Sequence, residues 1–184
     1  MSAPSSAKRL PWQLGGVAAT VLATATAARL SVELPLTTVP QTAQTLAVLG
    51  AGILLGSRWG AASMASYLVL GVVGLPVFAG GASGLDRLVG STGGFLVGFV
   101  VGAAIAGWWV ESGRAGSLAM ACLGMALAHL AILGCGWLWL AASIGPMRAW
   151  LSGVVPFLLG AVVKALVAGL GAWLLSARRL AGES

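Results

Sequence analysis

Residues Leu151–Ala177 read LSGVVPFLLGAVVKALVAGLGAWLLSA, with Lys164 as their only charged side chain. A membrane-spanning helix needs ~20 consecutive apolar residues, and this stretch is longer. Three further runs, Trp59–Leu85, Leu88–Val110 and Ala115–Met147, carry no Asp, Glu, Lys or Arg and also exceed that length. A soluble protein would have to hide all four runs inside a core, so the pattern favours helices in a bilayer.

The composition of the whole chain agrees with a membrane protein. Of its 184 residues 59% are hydrophobic and 8% are charged, whereas about a quarter of an average soluble domain is charged. The net charge is +6, but the basic residues stand almost entirely at the ends of the apolar runs. Membrane topology explains that placement better than a phosphate-binding surface does, so no nucleic-acid partner is expected.

Charges, prolines and Gly/Ser clusters mark the boundaries of six helices. The sequence predicts an all-α integral membrane protein, a compact bundle of six transmembrane helices at about Gln13–Val32, Thr42–Ser57, Gly60–Leu75, Gly93–Trp109, Ser117–Ala142 and Leu151–Ala177. A tight turn at Arg58 separates the second helix from the third. The Gly-rich loop Pro76–Ser91 is expected to fold back over the helices, because irregular backbone at membrane depth must be buried or hydrated.

The domain organisation predicted from these boundaries is simple. Residues 1–12 form an N-terminal segment, 13–177 the membrane domain and 178–184 a C-terminal tail. Six crossings place both termini on one side. That side holds six basic residues against two or three opposite, which predicts cytoplasmic termini. The six are Lys8, Arg9, Arg58, Arg114, Arg178 and Arg179; the others are Arg87, Arg148 and, near that end, Arg29.

Lys164 is the strongest candidate for a ligand contact. A lysine at the centre of a span costs ~2.5–3.5 kcal/mol, and the predicted helix ends lie ~20 Å away, too far for the side chain to reach water. The predicted helix cores contain no acidic residue to pair with it. We therefore expect an anionic or carbonyl-bearing ligand, with a contact to loop carbonyls or an inward-folded loop acid as the alternatives.

Polar residues at the predicted membrane boundary could also form hydrogen bonds with a ligand. Gln44 and its neighbours Gln41, Thr42 and Thr45 offer neutral hydrogen bonds, or they simply cap the second helix. Arg87 stands beside Asp86 in the long loop, where it meets either a ligand carboxylate or that aspartate.

Other chemistry-bearing residues have plainer interpretations. His129 has no second histidine or nearby carboxylate, so a hydrogen-bonded bundle histidine is expected rather than a metal ligand. Trp137 and Trp139 are candidates for cavity walls. No catalytic motif or nucleotide-binding loop occurs, and neither a metal nor a cofactor is predicted.

Small residues line one face of two predicted helices. The first helix carries Ala19, Ala23 and Ala27 at intervals of four, and the fourth carries Gly94, Gly98, Gly102 and Ala106. Such faces let another helix approach closely in lipid. Packing within the monomer is the alternative for each face, and two faces in so small a protein suggest an external helix for one of them.

Four stretches resemble the BioY family, the biotin-specific substrate-binding subunits (S components) of energy-coupling-factor transporters. They are VPQTAQTLAV at Val39–Val48, GLPVFAGGASG at Gly74–Gly84, GSTGGFLVGF at Gly90–Phe99 and VPFLLGAVVKAL at Val155–Leu166. The order and separations are those of the family, and the resemblance extends from about Ala18 to Arg179. The combination of GLPVFAGG with TGG-x-LVGF is its most specific part.

The resemblance implies a high-affinity biotin-binding subunit in a prokaryotic cell membrane, and not an enzyme. Biotin would enter from the extracellular side, while a transmembrane coupling subunit and two ATPase subunits would supply energy. The Ala19–Ala23–Ala27 face would meet the coupling subunit; homo-oligomerisation stays open. The pocket positions it implies are Gln44, Tyr67, Phe78, Gly80, Gly81, Arg87 and Lys164.

Three positions depart from the family pattern. Ala161 stands where the family commonly has Asp, three residues before the lysine, and Ser91 and Phe95 replace a proline and a tyrosine. The missing acid bears on contact with the ureido ring, so the pocket is rearranged, or its affinity is lower, or its ligand is a relative of biotin. A structural or assembly protein without a small ligand is the other hypothesis. An intramembrane enzyme is disfavoured by the shortage of acids and bases.

Overall fold

The computed structural model describes residues 6–32, 37 and 39–181 and consists of helices with one small sheet. The helices are α1 Ser6–Ala27, α2 Gln44–Val72, α3 Leu85–Val89, α4 Gly93–Glu111, α5 Leu118–Ile144, α6 Pro146–Gly153 and α7 Leu158–Ala181. Strands β1 (Ser31–Val32) and β2 (Gln41–Thr42) pair antiparallel, with Ser31 opposite Thr42. The ends of the predicted terminal segments, and Glu33 to Leu36 and Thr38 of the predicted linker, lie outside the described residues.

Helix α2 is a hairpin of two legs, because the chain reverses at Gly56. This glycine has φ 82° and ψ 177°, a conformation open almost exclusively to glycine. The amide of Gln44 in the first leg bonds the Tyr67 hydroxyl in the second at 2.5 Å, although 23 residues of straight helix would span ~34 Å. The turn predicted at Arg58 is therefore wrong by two residues, and Arg58 lies inside the second leg.

The six predicted crossings are α1, the two legs of α2, α4, α5 and α7, which confirms the all-α six-helix architecture. Four described segments are long and apolar enough to span a membrane: Gln44–Val72, Gly93–Glu111, Leu118–Ile144 and Pro146–Arg179. Helix α1 is less apolar, but its 22 residues reach ~33 Å.

The first and last predicted helices differ most from the structure at their ends. The first was expected at about Gln13–Val32, but α1 begins at Ser6, inside the predicted N-terminal segment, and ends at Ala27, since Ser31 and Val32 join the sheet. The last was expected to begin at Leu151. Instead α6 ends at Gly153, a 3₁₀ turn follows at Val155–Phe157, and α7 begins at Leu158. Pro156 in that turn has no backbone N–H to donate to a continuous helix.

The small face of α4 packs inside the monomer, against α5. A side chain added at Gly94 would meet Trp139 and the carbonyl of Cys135, and one at Gly98 would lie 3.0 Å from the Ile132 Cα. The ridge therefore lets two helix backbones approach closely, as small residues do in membranes. For this face, packing within the monomer is the correct one of the two interpretations.

The small-residue face of helix α1, unlike that of α4, is largely unpacked in the monomer. It packs on the second leg of α2 through a polar face, where the Thr20 and Ser63 hydroxyls lie 2.6 Å apart and Thr24 is fully buried. Ala19 and Ala23 on its other side are exposed, and Ala27 is half-buried. Two of the three small residues thus remain open to a neighbour.

The loop between α2 and α4 folds back over the bundle, as predicted. Phe78 is 2% exposed, the Gly84 amide donates to the Gly71 carbonyl at 2.8 Å, and the Gly80 amide donates to the Ala28 carbonyl at 3.3 Å. Loop backbone groups thus find partners on the helix ends beneath them. The loop closes the end of the bundle where α2, α4 and α7 begin.

Candidate ligand-binding site

A cavity lies under this loop, where the first turns of α2, α4 and α7 meet the middle of α5. Its walls are mostly apolar or aromatic, with a few polar and two cationic side chains. They comprise Val39, Pro40, Thr42, Gln44, Thr45, Phe78, Ala79, Arg87, Thr92, Phe95, Leu96, Phe99, His129, Ile132, Leu133, Phe157 and Lys164. A concave apolar site with a few convergent polar groups is the usual form of a small-molecule site.

Lys164 lines the cavity from α7 and is half-buried. It stands six residues after the first residue of α7, ~9 Å along the axis, so its predicted place at the middle of the helix is wrong. The break before Leu158 shortened the helix from that side. Its Nζ donates to the Thr42 carbonyl at 2.5 Å. An ammonium has three N–H donors, so this carbonyl contact leaves bonding capacity toward the cavity.

Among the residues that the structure describes, neither an Asp nor a Glu lines the cavity. Ala161, where the family commonly has Asp, is 8% exposed and packs in a cluster with Tyr67, Phe95 and Ile132. The position is an apolar contact here, and Lys164 takes a backbone carbonyl as its partner.

The Gln44 amide is held in one orientation by hydrogen bonds on both sides. Its Nε2 donates to the Tyr67 hydroxyl at 2.5 Å, and Tyr67 in turn donates to the Val77 carbonyl at 2.8 Å. On the other side the Thr42 hydroxyl donates to Oε1 of Gln44 at 3.0 Å. Gln44 lines the cavity, while Tyr67 is fully buried behind it and orients it.

The predicted loop positions divide into two groups. Phe78 and Arg87 line the cavity; Phe78 is buried edge-on against Tyr67, with ring centroids 5.6 Å apart, and Arg87 is exposed on α3. Gly80 and Gly81 do not line it. The Gly80 amide binds the end of α1, and the Arg29 side chain occupies the space where a side chain at Gly81 would point. Of the seven predicted positions, Gln44, Phe78, Arg87 and Lys164 face the cavity.

The aromatic walls are phenylalanines rather than the tryptophans proposed from the sequence. Phe95, Phe99 and Phe157 line the cavity, and the rings of Phe95 and Phe157 lie 6.1 Å apart. Trp137 and Trp139 instead donate their indole N–H to the carbonyls of Pro146 and Gly90. The spacing of Phe95 and Phe99, four residues apart, was the sequence signal for this wall.

His129 is a further residue whose sequence interpretation was wrong. It was expected to be a hydrogen-bonded bundle histidine, but it lines the cavity and its Nδ1 is buried without a partner. Within residues 6–32, 37 and 39–181, no three His, Cys, Asp or Glu side chains come together as a metal site would need.

Comparison with known proteins identifies the family. The profile of the BioY family matches residues 5–180, nearly the whole chain. The chain belongs to the BioY family. It is 35% identical over 168 residues to the probable biotin transporter BioY of Pyrococcus horikoshii, covering 91% of this chain and 95% of that protein. Identity to the biotin transporter BioY of Rhizobium etli is 38% over 141 residues, or 72% of this chain and 75% of the relative.

The fold of this BioY chain matches a solved structure. The crystal structure is that of the S-component for biotin from an ECF-type ABC transporter, with a TM-score of 0.81, 21% identity and 94% of each chain covered. The predicted family resemblance and fold are thereby confirmed. The relatives are named as transporters, so the family also confirms that the chain is not an enzyme.

Proposed function

We propose that this chain is the biotin-binding membrane subunit of a vitamin uptake transporter. The observation that carries the proposal is one cavity that combines two cationic side chains, Lys164 and Arg87, with aromatic walls and an oriented amide. These groups are complementary to biotin. The ligand has a fused, largely apolar ring system that carries a neutral urea, and a side chain that ends in a carboxylate. The relatives that match most of the chain are named biotin transporters.

Each part of the ligand has a complementary surface in the cavity. The fused rings pack against Phe78, Phe95 and Phe99, which are 2%, 7% and 4% exposed. The Gln44 amide and nearby hydroxyls supply neutral hydrogen bonds. A carboxylate gains a charge-assisted bond from an ammonium or guanidinium, which is about twice as strong as a neutral one.

Equilibrium binding to the purified chain in detergent tests the proposal. We expect saturable binding of labelled biotin that unlabelled biotin displaces and lipoic acid displaces poorly, because lipoic acid has the carboxylate and a sulfur ring but no urea. Absence of saturable binding would leave the structural or assembly hypothesis in place. If a relative of biotin displaces the label better than biotin does, that relative is the ligand. This is the alternative that Ala161, in place of the usual Asp, leaves open.

We also propose the transport arrangement that the resemblance implies. The chain sits in a prokaryotic plasma membrane with cytoplasmic termini, so the cavity opens outward, and a coupling subunit with two ATPase subunits drives delivery. The Ser57 hydroxyl bonds Glu111 at 2.6 Å, which joins the turn of α2 to the end of α4. Arg58, Arg114 and Arg178 belong to this end of the bundle, and such a basic end is typically cytoplasmic.

Cysteine labelling of intact cells tests the orientation. In a background lacking Cys122 and Cys135, a membrane-impermeant maleimide should label Asp86→Cys and spare Ser112→Cys, both at exposed positions. Labelling of Ser112→Cys alone would reverse the orientation.

A further inference from the structure

A second concave surface lies on the outside of the bundle, between the first leg of α2 and α7. Ile53 and Ala168 form its floor and are 7% and 4% exposed, whereas Leu54, Val167 and Leu174 form its rims and are exposed. In the part of the chain that the structure describes, this groove and the ligand cavity share no lining residue. It is thus a separate apolar groove, open to the membrane.

Two glycines leave space along the groove. Gly50 on α2 and Gly171 on α7 both line it, and no heavy atom lies within 4 Å of the carbon that a side chain would add at either position. The glycines of α4 differ, because Trp139 and Ile132 of α5 fill the space beside Gly94 and Gly98. Glycine weakens a helix interior relative to alanine. The space beside Gly50 and Gly171 therefore suits an apolar chain from outside the protein.

The groove has the length of one membrane leaflet. It extends along α7 from Val167 to Arg178, or ~16 Å of helix. The hydrocarbon core of a bilayer is ~30 Å thick, so each leaflet contributes ~15 Å. The groove occupies the half of the bundle that ends at the Gly56 turn of α2. A lipid acyl chain matches this length, whereas a neighbouring helix that crossed the whole membrane would leave about half of its length outside the groove.

A cationic side chain marks one end of this apolar groove. Arg178 is exposed on the last turn of α7 and lines the groove, and within the described part of the chain its guanidinium has no hydrogen bond or ion pair. No described Asp or Glu lines the groove either. A guanidinium binds phosphate oxygens through charge-assisted hydrogen bonds, and basic residues at a membrane surface attract anionic headgroups. The charge of the groove is therefore complementary to an anionic lipid.

We propose that the groove between α2 and α7 binds one anionic phospholipid, with an acyl chain against Gly50 and Gly171 and the headgroup phosphate on Arg178. In the orientation proposed above, this lipid belongs to the cytoplasmic leaflet. It connects the same two helices that the bond from Lys164 to the Thr42 carbonyl connects nearer the loop, and so stabilises their packing. The inference does not rest on biotin binding, because the groove is separate from the cavity.

The test is a lipid titration of the delipidated chain in detergent, followed by native mass spectrometry. The probes are phosphatidylglycerol, which is anionic, and phosphatidylcholine with the same acyl chains, which is zwitterionic. Arg178→Gln removes the headgroup contact, and its control is Arg179→Gln, at the next residue, which is exposed but does not line the groove. Gly171→Leu fills the groove. Its control is Gly134→Leu on α5, outside the groove, where an added carbon also meets no heavy atom within 4 Å.

We expect the parent chain to bind one phosphatidylglycerol about fivefold more tightly than phosphatidylcholine, as one cation at a membrane surface provides. Arg178→Gln should lose this preference and keep the weaker binding of phosphatidylcholine. Gly171→Leu should bind neither lipid, although it folds, because leucine favours a helix more than glycine does. Both controls should behave like the parent chain. Phosphatidylglycerol should raise the thermal midpoint of the parent chain and the controls more than that of Arg178→Gln or Gly171→Leu.

Three outcomes would overturn the inference. If the parent chain binds the two lipids equally, the groove holds bulk lipid only. If Arg178→Gln keeps the preference of the parent chain, or Gly171→Leu keeps its lipid binding, the lipid lies elsewhere. If Gly171→Leu keeps its lipid binding but no longer co-purifies with co-expressed coupling and ATPase subunits, the groove is a protein contact.

Discussion

The side chain of Lys164 is held in place by a main-chain carbonyl. Its bond to the Thr42 carbonyl ties α7 to the start of α2, and it has two further N–H donors for a ligand. The sequence was sufficient to single out this residue, because charge is rare in spans. The sequence signal that would have located the lysine along the helix was Pro156, which interrupts the run Leu151–Ala177 just before α7 begins at Leu158.

The two cations should contribute unequally to carboxylate binding. Lys164 is half-buried and Arg87 is exposed, and a charge shielded from water and salt interacts more strongly. We expect Lys164→Met to weaken biotin binding about tenfold or more, as loss of a charged hydrogen bond does, and Arg87→Gln to weaken it by less than about fivefold.

Titration with biotin and biotin methyl ester checks this ranking. The ester lacks the negative charge, so its affinity should be nearly the same for the parent chain and Lys164→Met. Arg178→Gln, at the opposite end of the bundle, is the control and should leave both affinities unchanged. A larger effect of Arg87→Gln than of Lys164→Met on biotin alone would reverse the assignment.

His129 shows where residue-level interpretation fails. A solitary polar residue in an apolar helix can face lipid, a neighbouring helix or a cavity, and periodicity alone does not distinguish these cases. The unpartnered Nδ1 became visible only with the surrounding helices in place.

At the scale of the elements, the reversal within α2 determines how the first half of the bundle packs. The turn signal GSRWG at Gly56–Gly60 was visible in the sequence, but any of its polar or glycine residues could have carried the turn. The structure puts the left-handed φ at Gly56, with the Glu111 carboxylate where a side chain would project. Backbone conformation and a residue 55 positions away jointly require glycine there.

Replacement of this glycine should destabilise the protein. Gly56→Ala forces alanine into a conformation that costs about 1–3 kcal/mol and pushes against Glu111, so we expect the thermal midpoint in detergent to fall by at least ~2 °C. The control is Gly50→Ala in the first leg, where no heavy atom lies within 4 Å of the added carbon. It should be neutral or stabilising, by up to ~1 kcal/mol. Equal midpoints for the two variants would contradict the role given to Gly56.

At the scale of the whole molecule, one small-residue face is used inside the bundle and the other is left open. The sequence predicted both faces and the six-helix architecture, since composition and helix spacing are local properties. It did not show which face is internal, because that depends on how α4 and α5 meet. Ala19 and Ala23 are exposed on α1, which supports the proposed contact with a coupling subunit.

A bulky residue on the open face should separate assembly from ligand binding. We expect Ala23→Trp to reduce co-purification with co-expressed coupling and ATPase subunits at least fivefold, while biotin binding to the isolated chain stays the same. Leu159→Trp, at a residue of α7 that is 77% exposed, is the control and should assemble normally. Undiminished co-purification of Ala23→Trp would place the contact elsewhere.

The hydrogen bonds around Gln44 run in one direction only. A tyrosine hydroxyl has a single proton, and Tyr67 gives it to the Val77 carbonyl, an acceptor that cannot become a donor. Tyr67 must therefore accept from Gln44, and the Gln44 carbonyl oxygen must turn toward Thr42. The polarity of this cavity wall is thus set by one main-chain carbonyl in the loop. Two ligands of identical shape, one with an N–H and the other with a C=O at this wall, would therefore bind with different affinities.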